Sequence, residues 1–322
     1  MSGSLRRTSP PSKRITLSHT LKLPAFAKIN LYLRILGKRA DGYHELDTIF
    51  QTISLRDTIE ASVVHDSQVV LSCNDRAVPV NENNLIIRAA KALRDRFGVK
   101  HGARIRLQKR IPMQAGLGGG SADAAMTLMA LAKLWELKCP SNELIAIGSQ
   151  LGADVSFFFY GGTARATGIG EQIEPLKDVE QTFLVIVKPN VNISTADAYR
   201  ALDERSLTSL NSKSILSTSR PIADSDQIDF ANLTNDFEAV VFDLQPEIRR
   251  AKNALLKAGA NQSLLAGSGS AVFGIFDSKN AQRRAIQAIE LETGWRVFPC
   301  KTVGREEYQR AFGDIVVTTE QA

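Results

Sequence analysis

The chain reads as an α+β protein built from two packed domains, and three observations predict this. Its 322 residues, 43% of them hydrophobic, exceed one average domain and suffice to bury two cores. Segments of period-two alternation, the mark of a strand with one buried face, are interspersed with Ala- and Leu-rich runs of helical type. One alternating segment leads straight into a glycine cluster and then a helix, giving a strand, loop and helix unit.

The first strand is expected over Phe26–Leu36. Ile29, Leu31, Leu33 and Ile35 fall on one face and Lys28, Asn30, Tyr32 and Arg34 on the other, so the strand should be half-buried. Asp41-Gly42 then predicts a hairpin-type turn, because glycine accepts positive φ, and it delivers Tyr43 and His44 to the next segment. A second alternating strand through Ala103, Ile105 and Leu107 must stop near Pro112, which cannot donate to a ladder. The glycine loop follows as Pro112, Met113, Gln114, Ala115, Gly116, Leu117, Gly118, Gly119, Gly120 and Ser121, and a helix starting near Ser121 and Ala122 runs to about Leu137.

Beyond it, Ser141 is an expected N-cap for a helix that ends at Gly152 in a left-handed turn, with Asp154 just after. Val155–Tyr160 and Phe183–Val187 read as strands and turns around Gly161-Gly162 and Gly168/Gly170. The serine-rich stretch 206–225 is an expected exposed loop. Pro246–Ala258 is a helix with proline at its start and Gly259 at its end. It leads to a second glycine loop, Gly267-Ser268-Gly269.

Charge excludes little by its sum but much by its place. Of the 40 basic residues that outweigh 34 acidic ones, five lie in the acid-free segment 1–22, so the remainder is nearly neutral. That segment is expected as a disordered basic extension, with domains over 23–165 and 166–318. No apolar run is long enough to span a membrane, and no secretory signal precedes the first strand, so a cytoplasmic protein is expected. Cys73, Cys139 and Cys300 lack ligand spacing and fit free thiols.

Glycines at 116, 118, 119 and 120 would let backbone N–H groups approach a bulky anion, with a helix dipole aimed at the same point. The loop satisfies neither GxxxxGK[ST] nor GxGxxG. Phosphoryl transfer also needs charge neutralisation and a group that orients or deprotonates the attacking hydroxyl. Lys28 and Asp154 are the candidates. Alternation leaves Lys28 open as a solvated lysine, pattern leaves Asp154 open as a turn aspartate, and spacing does not show that the two meet.

Three segments together resemble the galactokinase, homoserine kinase, mevalonate kinase and phosphomevalonate kinase (GHMP) superfamily: Pro24–Asn30, Pro112–Ala125 and Leu265–Phe273. Within it, Ala40–His44, Gly118–Ala125 and Gly152–Phe158 are similar to a branch acting on a cytidine diphosphate derivative. The resemblance implies a ribosomal-protein-S5-like ATP-binding domain, a ferredoxin-like substrate domain, and ATP with Mg2+ in the cleft between them. It implies Asp154 as general base, Lys28 as its partner, and Asn30, Tyr43, His44, Thr195, Tyr199, Gly267 and Gly269 as substrate contacts. Lys109 and Asn84 would lie near the adenine, and Ser121 is the nearest candidate for a magnesium contact; no all-protein metal cage is visible. Ala266 departs from the pattern, standing where a hydroxyl residue often precedes the last glycine loop. A monomer or homodimer with a small-molecule substrate and no nucleic-acid or membrane partner is expected. The rival readings are another superfamily kinase, acting on mevalonate, homoserine or a sugar, and an RNA-binding module contacting phosphates through the basic segment, with strong salt dependence.

Overall fold

A computed structural model describes residues 20–208, 228, 230 and 233–313. The expected basic extension up to residue 19 and residues 209–225 of the serine-rich stretch lie outside the described residues, while 206–208, expected in that loop, close a helix that begins at Thr195. Residues 20–22, expected in that extension, instead open the first strand.

Strands β1 (Thr20–Lys38) and β2 (His44–Val64) form one long antiparallel ribbon, from the pair Thr20 and Ser62 to the pair Lys38 and His44. The turn between them is the expected one, with Gly42 at φ +88° and the Arg39 amide donating to the Tyr43 carbonyl at 2.7 Å. Register shifts after Phe26, Asn30 and Ile35 bend the ribbon. One strand therefore serves three cores. Leu23 and Phe26 join the helix-covered core, Ile29 and Leu31 a middle one, and Leu33 and Ile35 the core of the second half.

The expectation of a half-buried strand is corrected here, since every residue from 25 to 35 is buried. Alternation in the sequence is real, but on the polar face Lys28 is covered by the glycine loop at Leu117 and Gly118, and Asn30 is bonded to Thr48 of β2, rather than to water.

Strand β3 (Val69–Cys73) pairs in parallel with β4 (Gly102–Gln108), and β4 pairs with β2. Helices α1 (Leu85–Phe97), α2 (Gly119–Leu134) and α3 (Ser141–Leu151) build the apolar core of this half. Every residue of helix α2 from 122 to 132 is buried, so its middle turns carry apolar side chains on all sides except at Asp123 and Thr127. It stops three residues before the expected Leu137. Three further local expectations change. Ser141 is the first helical residue after Pro140, not the cap. Gly152 has φ 174°, an extended conformation open to any residue. Val155–Tyr160 is no strand, because a 3-10 turn occupies Ala153–Phe159 and points three phenylalanines into the core.

Strands β5 (Thr163–Gly168) and β6 (Gln172–Pro175) continue the first sheet from β2, so the domain change expected after residue 165 falls inside β5. The second half begins with β7 (Phe183–Lys188) and continues with α4 (Thr195–Thr208), the short β8 (Thr234–Asn235), α5 (Glu238–Leu244), α6 (Pro246–Lys257), β9 (Gln262–Leu265), β10 (Val272–Phe276), α7 (Lys279–Ile289) and β11 (Arg296–Lys301). Its antiparallel sheet has the order β11, β7, β10, β9, which with helices between the first and second and between the third and fourth strands is the ferredoxin-like arrangement. Gly259 follows α6 at φ +92°, as its sequence predicts.

The halves are not separate bodies. Ile29, Leu31, Ile49 and Ile53 of the first sheet share one buried cluster with Leu184, Ile186, Leu264 and Phe273 of the second. The last helix, α8 (Arg305–Arg310), returns to the first core, where Tyr308 packs on Phe26 and Phe312 and donates its hydroxyl to the Phe158 carbonyl at 2.5 Å. Cys73, Cys139 and Cys300 are free, and burial pushes the Cys139 thiol up to about 11 and the Cys300 thiol up to about 12.

Candidate active site

A cleft of about 380 Å³ opens between the start of α2 and the β9–β10 loop. Pro112, Met113, Gln114, Ala115, Gly116, Leu117, Gly118, Gly119, Gly120 and Ser121 line it, with Asn84 and Lys109 at one side and Lys28, Asp154, Thr195 and Gly267 at the other. Ala122 does not line it; it is buried, and its amide donates back to the Gly118 carbonyl at 2.9 Å.

Helix α2 begins at Gly119, with Gly118 as cap at φ +68° and no side chain bonding the first-turn amides. Ser121 therefore sits inside the first turn and is not the cap. The partial positive charge of the helix start is directed at the cleft without a side-chain acceptor to consume it, which suits an anion.

The glycines serve a purpose the sequence did not reveal. A Cβ on Gly116 would lie 1.7 Å from the Ala266 carbonyl oxygen, and one on Gly269 would lie 2.1 Å from the Gly116 nitrogen. The two glycine loops thus pack backbone on backbone, joined by the Ala271 amide to the Ala115 carbonyl at 3.2 Å and the Ser270 hydroxyl to the Gln114 carbonyl at 3.0 Å. Gly118 makes room for Phe158 and Lys28, and Gly119 for Ile111 and Lys109. Of the four, Gly120 alone could carry a Cβ without crowding, its nearest neighbour being Leu85 Cδ1 at 3.7 Å. Gly269 does not line the cleft, and its amide is already committed to the Ala266 carbonyl at 3.2 Å. Asn235 on β8 holds the second loop by donating to the Leu265 and Gly267 carbonyls at 2.9 and 2.8 Å.

Lys28 and Asp154 do meet, with Nζ 3.3 Å from Oδ2. The lysine is 5% exposed and the aspartate 34%, so the carboxylate reaches the cleft while its partner stays beneath. The Lys28 ammonium lies 4.7 Å over the Phe50 ring and donates to Asn30 Oδ1 at 2.9 Å; Asn30 donates to Thr48 Oγ1 at 2.8 Å, and Thr48 to the Tyr32 carbonyl at 2.6 Å. This buried chain fixes the ammonium, and the main-chain amide of Lys28 is bonded to the Leu117 carbonyl at 3.0 Å, tying strand and glycine loop together. Asn30 is buried behind Lys28 and is not among the residues lining the cleft.

Lys109 is buried between two carboxylates, 2.6 Å from Asp57 and 2.7 Å from Asp123. Asp57 also accepts from the amides of Arg110 and Ile111 at 2.5 and 2.8 Å, where the chain leaves β4 for the loop. Lys109 therefore clamps the end of β4 to the first turns of α2. Burial above all pushes the Asp123 carboxyl up to about 8, Lys109 pulling the other way, and Oδ1 of Asp123 has no hydrogen-bond partner among the described residues. Asn84 caps α1, accepting from the Ile86 amide at 2.9 Å and donating to the Pro79 carbonyl at 2.7 Å.

Tyr43, His44 and Tyr199 lie outside the cleft lining. His44 stacks on Tyr199 with ring centroids 4.7 Å apart at 22°, and Phe237 meets Tyr199 edge-on at 4.9 Å. Tyr43, which precedes His44 in the chain, is 60% exposed. Burial foremost, and then the negative charge of Asp154, push the Tyr199 hydroxyl up to about 12. Thr195 accepts from or donates to the Ser268 hydroxyl at 3.0 Å, linking α4 to the second glycine loop.

Asp57, Asp123, Asp203 and Asn235 escaped the sequence reading. Asp123 carried a signal, a lone acid amid alanines on a helix buried all round; the others have partners so distant in sequence that no spacing exposes them. Among the described residues, no group of three or more His, Cys, Asp or Glu side chains could hold a metal. None of the helices among them is long and apolar enough to cross a membrane.

The geometry agrees with the relationships of the chain. Residues 84–162 match the GHMP kinases N terminal domain and residues 219–293 the GHMP kinases C terminal domain. The 4-diphosphocytidyl-2-C-methyl-D-erythritol kinase of Solibacter usitatus is 44% identical over 291 residues, 89% of this chain and 90% of its own. That of Prosthecochloris aestuarii is 43% identical over 274 residues, 84% of this chain and 94% of its own. A crystal structure of 4-(cytidine 5'-diphospho)-2C-methyl-D-erythritol kinase superposes with a TM-score of 0.71 at 33% identity, covering 88% of this chain and all of that one. The chain belongs to the family of 4-diphosphocytidyl-2-C-methyl-D-erythritol kinases, a branch of the GHMP kinases.

Proposed function

We propose that the cleft transfers the γ-phosphoryl group of ATP to the 2-hydroxyl of 4-diphosphocytidyl-2-C-methyl-D-erythritol, with Asp154 as general base, in the non-mevalonate route to isoprenoid precursors. The carrying observation is the Lys28 and Asp154 pair, 3.3 Å apart, in a cleft headed by the uncapped start of α2. The triphosphate lies along the 116–121 segment, where amides and dipole meet its charge. Asp154 accepts the hydroxyl proton as the oxygen attacks phosphorus; Lys28 orients that carboxylate and offsets charge on the transferring group.

Asn84, Lys109, Pro112 and Met113 flank the adenine side. The substrate extends the other way along α4, past Thr195 to Tyr199, with the cytosine among Tyr43, His44 and Tyr199. Thr195 and Tyr199 are four residues apart, hence on one face of α4.

Magnesium suits a cleft of this donor set. It asks for oxygen ligands and is commonly held by substrate phosphates and one or two carboxylates, and Ser121 and the exposed Asp154 offer oxygens at the cleft. Bound there, it would offset charge on the β- and γ-phosphates. A small-molecule enzyme of the cytoplasm, monomeric or dimeric and without nucleic-acid or membrane partner, is the setting this reading assumes.

The test is ADP release with a panel of alcohols. The cytidine diphosphate substrate should exceed mevalonate, homoserine and galactose in kcat/KM by at least about 1,000-fold, the scale of a site built around polar contacts the others lack. Comparable turnover of any of those three would overturn the reading.

A further inference from the structure

Asp203 lies one turn beyond Tyr199 on α4, so Thr195, Tyr199 and Asp203 form a stripe at four-residue spacing that begins at the cleft and ends under His44. Its Oδ1 is 2.7 Å from His44 Nε2, and its other oxygen is 2.6 Å from Lys38 Nζ. Bonding to Lys38 foremost, with the His44 bond adding to it, holds the Asp203 carboxyl below the usual carboxylate range. An ionised carboxylate only accepts hydrogen bonds, so the neutral imidazole must carry its proton on Nε2. His44 is 8% exposed and stacked on Tyr199, which fixes the ring plane. Nδ1 has no hydrogen-bond partner among the described residues and is left as a bare acceptor.

From this arrangement we infer that Asp203 is a positioning residue which, by fixing the His44 tautomer, makes the base site select cytosine over uracil. The two bases differ where they matter for such an acceptor. Cytosine presents an exocyclic amine, a donor that Nδ1 can bind; uracil presents a carbonyl oxygen, whose lone pairs would face those of Nδ1. A site that hydrogen-bonds a substrate N–H rejects the analogue lacking it, because the facing polar groups are left unpaired. Without Asp203, the proton is free to move to Nδ1, and the same ring becomes a donor that suits uracil. The inference rests on the base site of the proposed function.

The experiment compares kcat/KM for the cytidine substrate and its uridine counterpart in the full chain, in Asp203→Leu, in Asp203→Asn and in His44→Ala. Asparagine can still accept from Nε2; leucine cannot. The unaltered chain should prefer cytidine by about 100-fold or more, Asp203→Asn should keep most of that ratio, and Asp203→Leu should lose at least about tenfold of it. Nitrogen NMR of His44 supplies a readout that loss of packing would not imitate: the proton sits on Nε2 in the unaltered chain and in Asp203→Asn, and distributes over both nitrogens in Asp203→Leu. An unchanged ratio in Asp203→Leu, an equal loss in both variants, or a proton on Nδ1 in the unaltered chain would each overturn the inference. An unaltered KM for the cytidine substrate in His44→Ala would instead remove the base site itself, and the proposed substrate placement with it.

Discussion

Gly116 and Ala266 approach so closely that a Cβ on the glycine would lie 1.7 Å from the alanine carbonyl oxygen. The first glycine loop is thereby braced against the loop of the second half, and with φ +78° Gly116 occupies backbone space that side-chain-bearing residues rarely enter. Gly116→Ala is expected to destabilise the protein by about 3 kcal/mol or more and to weaken ATP, as read by thermal denaturation and by the KM for ATP. An alanine variant with unchanged melting temperature and KM would show that the loops do not need this contact.

Asp154→Asn should lower kcat by roughly 100-fold or more while ATP binding persists, because the amide keeps the shape and loses the proton acceptor. Turnover and nucleotide affinity are measured separately for this purpose. Near-normal turnover would remove Asp154 from the role of base.

Tyr199→Ala removes the ring against which His44 and Phe237 pack. It should raise the KM for the cytidine substrate about tenfold or more, at the scale of a lost aromatic stacking contact, with the KM for ATP little changed. Equal effects on both would point to a general loss of structure.

Lys109→Met would leave Asp57 and Asp123 buried without their shared cation. Removing one partner of a buried ion pair is expected to cost about 3–5 kcal/mol, visible in urea denaturation. A loss below 1 kcal/mol would mean that water or another cation reaches these carboxylates.

Asp123 also sets a pH dependence. Its carboxyl is raised to about 8 in the folded chain from 3.8 in the open one, so between those values the folded state holds more of the proton than the unfolded state. Stability from this group is fully present below about pH 4 and is lost as pH rises through 8. Asp123→Asn should flatten the fall between pH 5 and 8 in a series of melting curves. Lys188, buried and beside Arg296, is lowered to about 8 from 10.5 and acts in the window above, where stability should rise with pH. An unchanged slope in Asp123→Asn would assign the dependence to other groups.

Much of this was legible from local pattern, because local pattern obeys local physics. The alternation at Ile29 to Ile35, the turn at Asp41-Gly42, the strand ending before Pro112 and the helix from Pro246 to Gly259 each depend on residues a few positions apart. Elsewhere a local rule has two outcomes. Val155–Tyr160 is apolar enough for a buried strand or a buried helical turn, and packing of Phe157, Phe158 and Phe159 into the helix-covered core chose the turn. The lysine on the polar face of β1 was open as a surface residue until the glycine loop at Leu117 and Gly118 and the turn carrying Asp154, both far along the chain, closed over it.

The order and type of most elements, the position of the glycine loop before its helix and the family were therefore legible in the amino-acid sequence alone, since backbone preferences and motif spacing are written along the chain. Only the tertiary structure decided that Gly116 makes room for Ala266, that Lys109 is clamped between Asp57 and Asp123, and that Asp203 reaches His44 across 159 positions. These contacts join groups that chain distance leaves independent, and their energies exist only once burial has removed the water that would otherwise solvate each group by itself.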